Sequence, residues 1–148
     1  VIPEAAERDV RILATDIDPN MIAQGRGGTY AAHLLEGVPP DLRKRWTAPA
    51  GDGEVRMADE ARALVTFNEL NLIGDWPMKG RFDAVFCRNV AIYFEDATQA
   101  RLWSRFAPLL NPNGALYIGH SERVQGPAAS AFRPDGVTIY RKLPGAAA

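Results

Sequence analysis

The sequence predicts an α/β domain with a mainly parallel β-sheet and an antiparallel strand near the carboxyl end. Short apolar runs typical of strands alternate with segments of helical spacing, which is the pattern of βα units. The run at 82–87 is apolar nearly throughout, as expected for a parallel strand covered on both faces. No convincing helix separates the strand predicted at 115–119 from the last one at 137–141. Because the alternation of strands and helices stops here, an antiparallel pairing is favoured at this edge of the sheet.

The first strand and helix are predicted between residues 10 and 24. An apolar, β-rich run ends in the acidic residue Asp16. Asp18 can cap a following helix, and Pro19 suits the first helical position. Three closely spaced glycines are predicted to break this helix: Gly25, Gly27 and Gly28.

Residues 29–62 are predicted to be an inserted subdomain within a domain that covers 1–148. The stretch is irregular, with a helical turn or two expected at 41–46 and a hairpin turn at 51–53. Beyond it, a strand is predicted at 63–67 and a helix at 97–110, which the turn-forming run 111–114 should stop.

Composition and charge exclude several classes of function. Seventeen basic and eighteen acidic residues give a net charge of −1, so no overall field recruits nucleic acid or an anionic membrane. The single cysteine, Cys87, excludes an internal disulfide framework and a cysteine-based zinc site, and it fits a reducing cytoplasm. No apolar run reaches the length of a membrane span, and the first residues do not resemble a signal peptide. We therefore expect a cytoplasmic protein without direct membrane insertion.

Polar residues at the carboxyl ends of the predicted strands are the candidates for a ligand site. In open α/β sheets ligands bind beyond those ends. Asp16 can accept hydrogen bonds from both hydroxyls of a ribose, although it can equally cap a turn. The Asn71 amide can hydrogen-bond to a purine, and the Leu72 side chain can pack against its ring. An asparagine after a strand, however, is usually a turn residue.

The run at 82–87 ends in a stronger signal. Arg88 directly follows the apolar residues. We therefore expect the methylene part of its side chain to lie near the core and its charge to lie at the carboxyl end of the sheet. Asn89 is next to it, and Tyr93 lies just beyond, where it can lend a hydroxyl to the same cleft.

His120, Ser121 and Glu122 follow the next strand and invite an interpretation as a nucleophile with its base. Their side chains diverge because they are consecutive, and no glycine-flanked nucleophile elbow precedes them. A structural role supporting the cleft is the favoured interpretation. His33 has no sequence partner and is expected at the surface or an interface.

The ordered set of motifs resembles the chemotaxis receptor methyltransferases, the CheR family. The residues that carry the resemblance extend over nearly the whole chain: Ile12 to Asp18, Arg26 to Tyr30, Val65 to Phe67 with Asn71 and Leu72, Phe82 to Val90 with Ile92 to Phe94, Leu109 to Gly114, and Gly119 to Glu122. The resemblance implies a Rossmann-like methyltransferase sheet with a small inserted β-subdomain. It also implies transfer of a methyl group from S-adenosylmethionine to glutamate side chains on the cytoplasmic helices of chemoreceptors, with S-adenosylhomocysteine as product.

The resemblance also implies roles for individual residues. Asp16 is expected to bind the ribose, Asn71 and Leu72 the adenine region, and Arg88 and Asn89 the cofactor near its reacting end. Arg88 and Tyr93 are expected to face the substrate carboxylate as catalytic residues. The insertion corresponds to a receptor-contacting subdomain, and its basic residues suit an acidic partner or are simply a solvated face: Arg43, Lys44, Arg45, Arg56 and Arg62.

Family features expected ahead of the Asp16 strand are not found in this sequence, namely an amino-terminal helical domain, then a first strand and a glycine-containing loop. We therefore expect a fragment, a chain completed by a dimer partner or a complementing amino-terminal segment, or a degenerate binding domain. The alternatives to an enzyme are a non-catalytic protein-interaction module and a module that binds another adenosine ligand.

Overall fold

A computed structural model describes residue 5 and residues 7–145. The chain divides into two compact units, Val1–Gly74 and Asp75–Ala148. The first unit contains β1 (Ile12–Asp16), α1 (Pro19–Gly27), β2 (Thr29–Ala31), α2 (Pro40–Trp46), β3 (Thr47–Gly51), β4 (Glu54–Met57), α3 (Asp59–Arg62) and β5 (Val65–Glu69). The second contains β6 (Phe82–Cys87), α4 (Asp96–Leu109), β7 (Leu110–Ile118), β8 (Phe132–Pro134) and β9 (Ile139–Lys142). Short 3₁₀ turns lie at Ala32–Leu35, Ala91–Tyr93 and Gly126–Ala131. Within the described ranges, no helix is long and apolar enough to cross a membrane.

Two sheets form in the first unit. β1 and β5 pair in parallel, with Ile12 opposite Val65 and Asp16 opposite Glu69. The other sheet is antiparallel, with the strand order β2-β4-β3. Because β1 and β5 run in the same direction, the residues that follow them leave the sheet at the same edge.

The start of α1 agrees with the sequence prediction, but its end does not. The Asp18 carboxylate accepts the Asn20 backbone N–H at 2.8 Å, and Pro19 occupies the first helical position. The helix continues through Gly25 and Gly27, so the expectation that these two residues break it was wrong. Gly25 is buried, and a Cβ there would overlap the ring of Phe67. Close packing of helix against strand therefore explains this glycine.

Gly28 ends α1 and provides a testable contrast with its neighbour. We expect Gly28→Ala to destabilise the protein by about 1–2 kcal/mol, the usual cost of left-handed backbone for a residue with a Cβ. Gly28 has a φ of 70°, and an added Cβ would lie 2.6 Å from Nε of Arg62. Gly27→Ala is the matched control, because a Cβ there has no neighbour within 4 Å and alanine favours a helix. Urea unfolding measures both variants, and equal shifts in midpoint would contradict this account of the helix end.

The hairpin predicted at 51–53 joins β3 to β4. Gly51 pairs with Glu54, which leaves Asp52 and Gly53 as a two-residue turn. Both turn residues have positive φ, 46° and 74°. That geometry is typical of a hairpin turn whose twist matches its strands.

One mixed sheet forms in the second unit, with the strand order β6-β7-β9-β8. β6 and β7 are parallel, whereas β9 runs antiparallel to β7 and β8 antiparallel to β9. The predicted antiparallel strand near the carboxyl end is thereby confirmed. The short strand β8 and the preceding 3₁₀ turn had no recognisable signal in the sequence.

The turn predicted at 111–114 lies inside β7 as an irregularity and does not precede the strand. Leu110 is opposite Phe82, and the next paired residues are Ala115 and Ala84. The intervening residues are unpaired with β6, and Asn113 has a φ of 62°. The turn-forming residues therefore produce a bulge within the strand.

The core of the second unit lies under α4. Leu102, Trp103, Phe106 and Ala107 on this helix are buried, at the spacing that predicted it. β6 differs from its prediction, because only Cys87 is buried and Phe86 is 71% exposed. The physical reason is its position: among the described strands, β6 pairs only with β7 and forms an edge of the sheet.

Candidate cofactor and substrate site

In the first unit, the predicted cofactor residues lie beyond the carboxyl ends of adjacent parallel strands. Asp16 ends β1 and is exposed, and one of its carboxylate oxygens accepts the Asp18 backbone N–H at 2.9 Å. Asn71 and Leu72 follow β5, which pairs with β1. The side-chain oxygen of Asn71 accepts the Ile73 backbone N–H at 2.9 Å, which orients the amide. Leu72 is half-buried.

These groups fit the nucleoside part of a cofactor. The second carboxylate oxygen of Asp16 can accept hydroxyl protons from a ribose. The amide nitrogen of Asn71 can donate to a ring nitrogen of a purine, since the oxygen is already engaged. Leu72 supplies an apolar surface for the base. The turn role that the sequence left open for Asn71 is observed, and it leaves the amide nitrogen available to a ligand.

In the second unit, Arg88 and Asn89 follow β6, whose parallel neighbour β7 ends at Ile118, opposite Cys87. Arg88 is exposed, and none of the described residues forms a hydrogen bond or ion pair with its guanidinium. Asn89 has a φ of 59°, a left-handed conformation that asparagine tolerates better than most residues. The chain therefore turns sharply here and leaves a free cation at the edge of the sheet.

Tyr93 ends the 3₁₀ turn Ala91–Tyr93 and is 81% exposed. Ala91 at the start of that turn is fully buried and anchors it. The Phe94 backbone N–H donates to the Ala91 carbonyl at 2.9 Å and closes the turn. An exposed phenol on an anchored turn can meet a substrate that approaches this edge.

Glu122 makes contacts at this edge of the sheet that sequence reasoning missed. The residue is 1% exposed, and its carboxylate accepts two backbone N–H groups, from Gly119 at 2.5 Å and from Ile92 at 3.2 Å. His120 and Ser121 are exposed beside it, and the contacts of Glu122 agree with the favoured interpretation of this segment as structural support, which stays a prediction. The glutamate directly after a strand was visible in the sequence, but its partner 30 residues away was not.

Cys87 is poorly suited to act as a nucleophile. Burial, and then the negative charge of Glu122, raise the pKa of its thiol to about 12. The thiol therefore stays protonated at physiological pH. Across the described chain, no group of three or more His, Cys, Asp or Glu residues is suited to hold a metal ion.

The basic residues of 29–62 differ in their surroundings. Arg62 donates to the Arg26 carbonyl and pairs with Asp59, both at 2.7 Å, and Arg56 donates to the Gly27 carbonyl at 3.4 Å. Lys44 and Arg45 are exposed on α2. The accessible basic surface of this segment therefore comprises Lys44 and Arg45 on α2 together with Arg56 on β4, which is exposed but engaged by the Gly27 carbonyl. His33 is exposed in its 3₁₀ turn.

Each unit has a parallel strand pair with polar side chains beyond its carboxyl end, which is where α/β proteins of the nucleoside-cofactor-binding class hold their ligands. The chain belongs to the CheR family, because the family model for "CheR methyltransferase, SAM binding domain" matches residues 1–140. The fold class expected from the sequence, a Rossmann-like methyltransferase fold, is thereby confirmed.

Curated relatives agree with this membership. The "Probable chemotaxis protein methyltransferase" of Rhizobium etli is 49% identical over 144 residues, which cover 95% of this chain and 54% of that protein. "Chemotaxis protein methyltransferase 2" of Pseudomonas aeruginosa is 42% identical over 88% of this chain and 48% of its own length. The "Chemotaxis protein methyltransferase" of Escherichia coli is 40% identical over 88% and 46%. The chain spans about half the length of these relatives.

Proposed function

We propose that this chain supplies the cofactor-binding and carboxylate-positioning residues of an S-adenosylmethionine-dependent methyltransferase that acts in chemotaxis. The proposed substrates are glutamate side chains on the cytoplasmic helices of chemoreceptors, and the product is a methyl ester. The observation that carries the proposal is Arg88, which directly follows β6, is exposed and has no hydrogen-bond or ion-pair partner among the described residues, in a chain of this family. Such a cation is suited to hold a carboxylate.

The division of labour follows from the residue types. Asp16, Asn71 and Leu72 would hold the adenosine part of the cofactor, and Asn89 would support its reacting end. When bound, S-adenosylmethionine would supply a methyl group activated by its sulfonium, and the thioether S-adenosylhomocysteine would be the product that leaves. No residue needs to remove a proton, because a glutamate carboxylate is already ionised at neutral pH.

Positioning is therefore the main catalytic task. Arg88 would align the substrate carboxylate, and the Tyr93 hydroxyl would fix its orientation. Too tight a pairing with the attacking oxygen would weaken its nucleophilicity, so Arg88 must leave that oxygen's attacking lone pair available. The high exposure of Tyr93 agrees with a residue that meets a macromolecular substrate.

A receptor is also the proposed partner of the 29–62 segment. Lys44 and Arg45 on α2 present positive charge that suits acidic receptor segments. Arg45 also lies over the ring of Trp46, with 4.8 Å from its guanidinium carbon to the ring centroid. This contact orients the cation at the surface.

A methyl-transfer assay tests the proposal. The full encoded polypeptide is incubated with methyl-tritiated S-adenosylmethionine and a chemoreceptor cytoplasmic fragment, and base-labile radioactivity is counted. We expect label in the receptor, and none in a receptor whose surface glutamates are replaced by alanine. Label that resists base, or that persists without the glutamates, would rule out carboxyl methylation.

A further inference from the structure

We propose that Glu122 is a positioning residue that holds the segment Arg88–Tyr93 in its binding conformation. The inference rests on the proposed function, since that function assigns Arg88, Asn89 and Tyr93 to the cofactor and substrate. Glu122 itself is not proposed to contact the cofactor or the substrate. It acts by tying the loop after β6 to the end of β7.

The carboxylate connects two chain segments that are distant in sequence. One oxygen accepts the Ile92 backbone N–H in the turn that carries Tyr93, and the other accepts the Gly119 N–H directly after β7. Among the described residues, none with a positive charge forms an ion pair with this carboxylate, although it is almost fully buried. A buried, unpaired carboxylate is costly unless its acceptors are satisfied. The two backbone donors satisfy it, and at the same time they fix the relative position of the two exit loops.

Gly119 lets the two loops approach each other. A Cβ added there would lie 2.9 Å from the Glu122 carboxylate, 3.0 Å from the Asn89 side-chain oxygen and 3.1 Å from the Asn89 backbone nitrogen. Asn89 has left-handed backbone, so its conformation depends on such surroundings. Glycine at position 119 and the Glu122 carboxylate therefore both constrain the loop that follows β6.

The segment around Glu122 is itself held rigid. The Arg123 guanidinium donates to the backbone carbonyls of His120 at 2.9 Å and of Glu122 at 2.6 Å. The Glu122 backbone N–H donates to the Gly119 carbonyl at 3.1 Å. A carboxylate on a fixed backbone can set the position of the more exposed loop.

Amide hydrogen exchange measured by NMR tests, without any ligand, whether Glu122 holds the segment Arg88–Tyr93 in place. In the 148-residue chain, the Ile92 amide should be protected although its side chain is exposed. In Glu122→Gln, the side-chain amide can accept from only one of the two N–H groups, and we expect Ile92 exchange to accelerate about ten- to a hundredfold. The Leu116 amide in β7 reports global opening and should be unaffected. Glu95→Gln, an exposed acid near the same loop, is the matched control and should change neither rate.

Binding of S-adenosylhomocysteine to the full encoded polypeptide, measured by calorimetry, provides the functional readout. We expect Glu122→Gln to weaken binding about tenfold, in proportion to the lost buried bond. If Glu122 acts through Arg88–Tyr93, adding it to Arg88→Ala should cause little further loss. Additive losses would overturn the inference.

Two other outcomes would also overturn it. One is an unprotected Ile92 amide in the unmodified chain, a measurement that needs no variant to fold. The other is equal acceleration at Ile92 and Leu116 in Glu122→Gln, which would mean that Glu122 only stabilises the fold. If the unmodified polypeptide binds no S-adenosyl ligand, the proposed function fails, whereas the exchange rates still decide the role of Glu122.

Discussion

Arg88→Ala is expected to abolish methyl transfer, with a loss in kcat/KM of at least about a hundredfold, the usual cost of removing one preorganised charge-stabilising donor. Arg88 is exposed and unpaired among the described residues, so the substitution leaves no buried group without its partner. The fold should therefore persist, and the loss should appear in catalysis. Initial rates with tritiated S-adenosylmethionine and a receptor fragment measure the effect.

Two control variants show what Arg88 contributes. Arg88→Lys keeps the charge but loses the planar pair of donors, so we expect partial activity. Arg101→Ala removes an exposed arginine on α4 whose one hydrogen bond to a described residue is to Thr98, and it should leave rates unchanged. Normal turnover by Arg88→Ala would refute the assignment. If the polypeptide instead binds receptor equally well with and without Arg88 and Tyr93 and never transfers methyl groups, it is an interaction module.

Elements with strong local signals were predicted closely from the sequence. The bounds of β6 match the apolar run, and α4 begins and ends one residue before its prediction. The Asp18 cap and the hairpin turn at Asp52 and Gly53 depend only on neighbouring residues. β5 begins two residues later than expected, because its register is set by pairing with β1, which the local pattern does not specify.

Predictions that depend on tertiary contacts succeeded less often. Gly25 sits inside α1 because Phe67, 42 positions away, needs the space. Phe86 is exposed and stacks on Tyr117, with 4.4 Å between ring centroids, although its sequence context predicted burial. Strand edges and long-range contacts are properties of the assembled sheet, so a one-dimensional pattern cannot fix them.

The candidate site shows the same division. Asp16 and Asn71 were predicted at one edge because they follow strands, and parallel pairing of β1 with β5 confirms that shared edge. Their roles toward a cofactor stay predictions. Glu122 was visible only as a glutamate after a strand, since its bonds to Ile92 and Gly119 depend on how the loops close.

Leu116→Ala is expected to give the largest loss of stability, about 2–5 kcal/mol, as is typical of a leucine removed from a packed core. Leu116 is fully buried in β7, where it pairs with Val85 on one side and Tyr140 on the other. Small domains are stable by only about 5–15 kcal/mol, so the loss is a large fraction of the total.

Urea unfolding followed by tryptophan fluorescence measures the effect, because Trp103 is fully buried in the same unit and reports its opening. Val137→Ala is the matched control: this side chain is 81% exposed, and its truncation should change the free energy of unfolding by less than about 0.5 kcal/mol. If both variants unfold at the same urea concentration, β7 is not the centre of the core.

Leu116→Ala should also lower methyl transfer only in proportion to the unfolded fraction, whereas Arg88→Ala should lower it in fully folded protein. The comparison distinguishes residues that stabilise the sheet from residues that are proposed to contact the substrate at its edge.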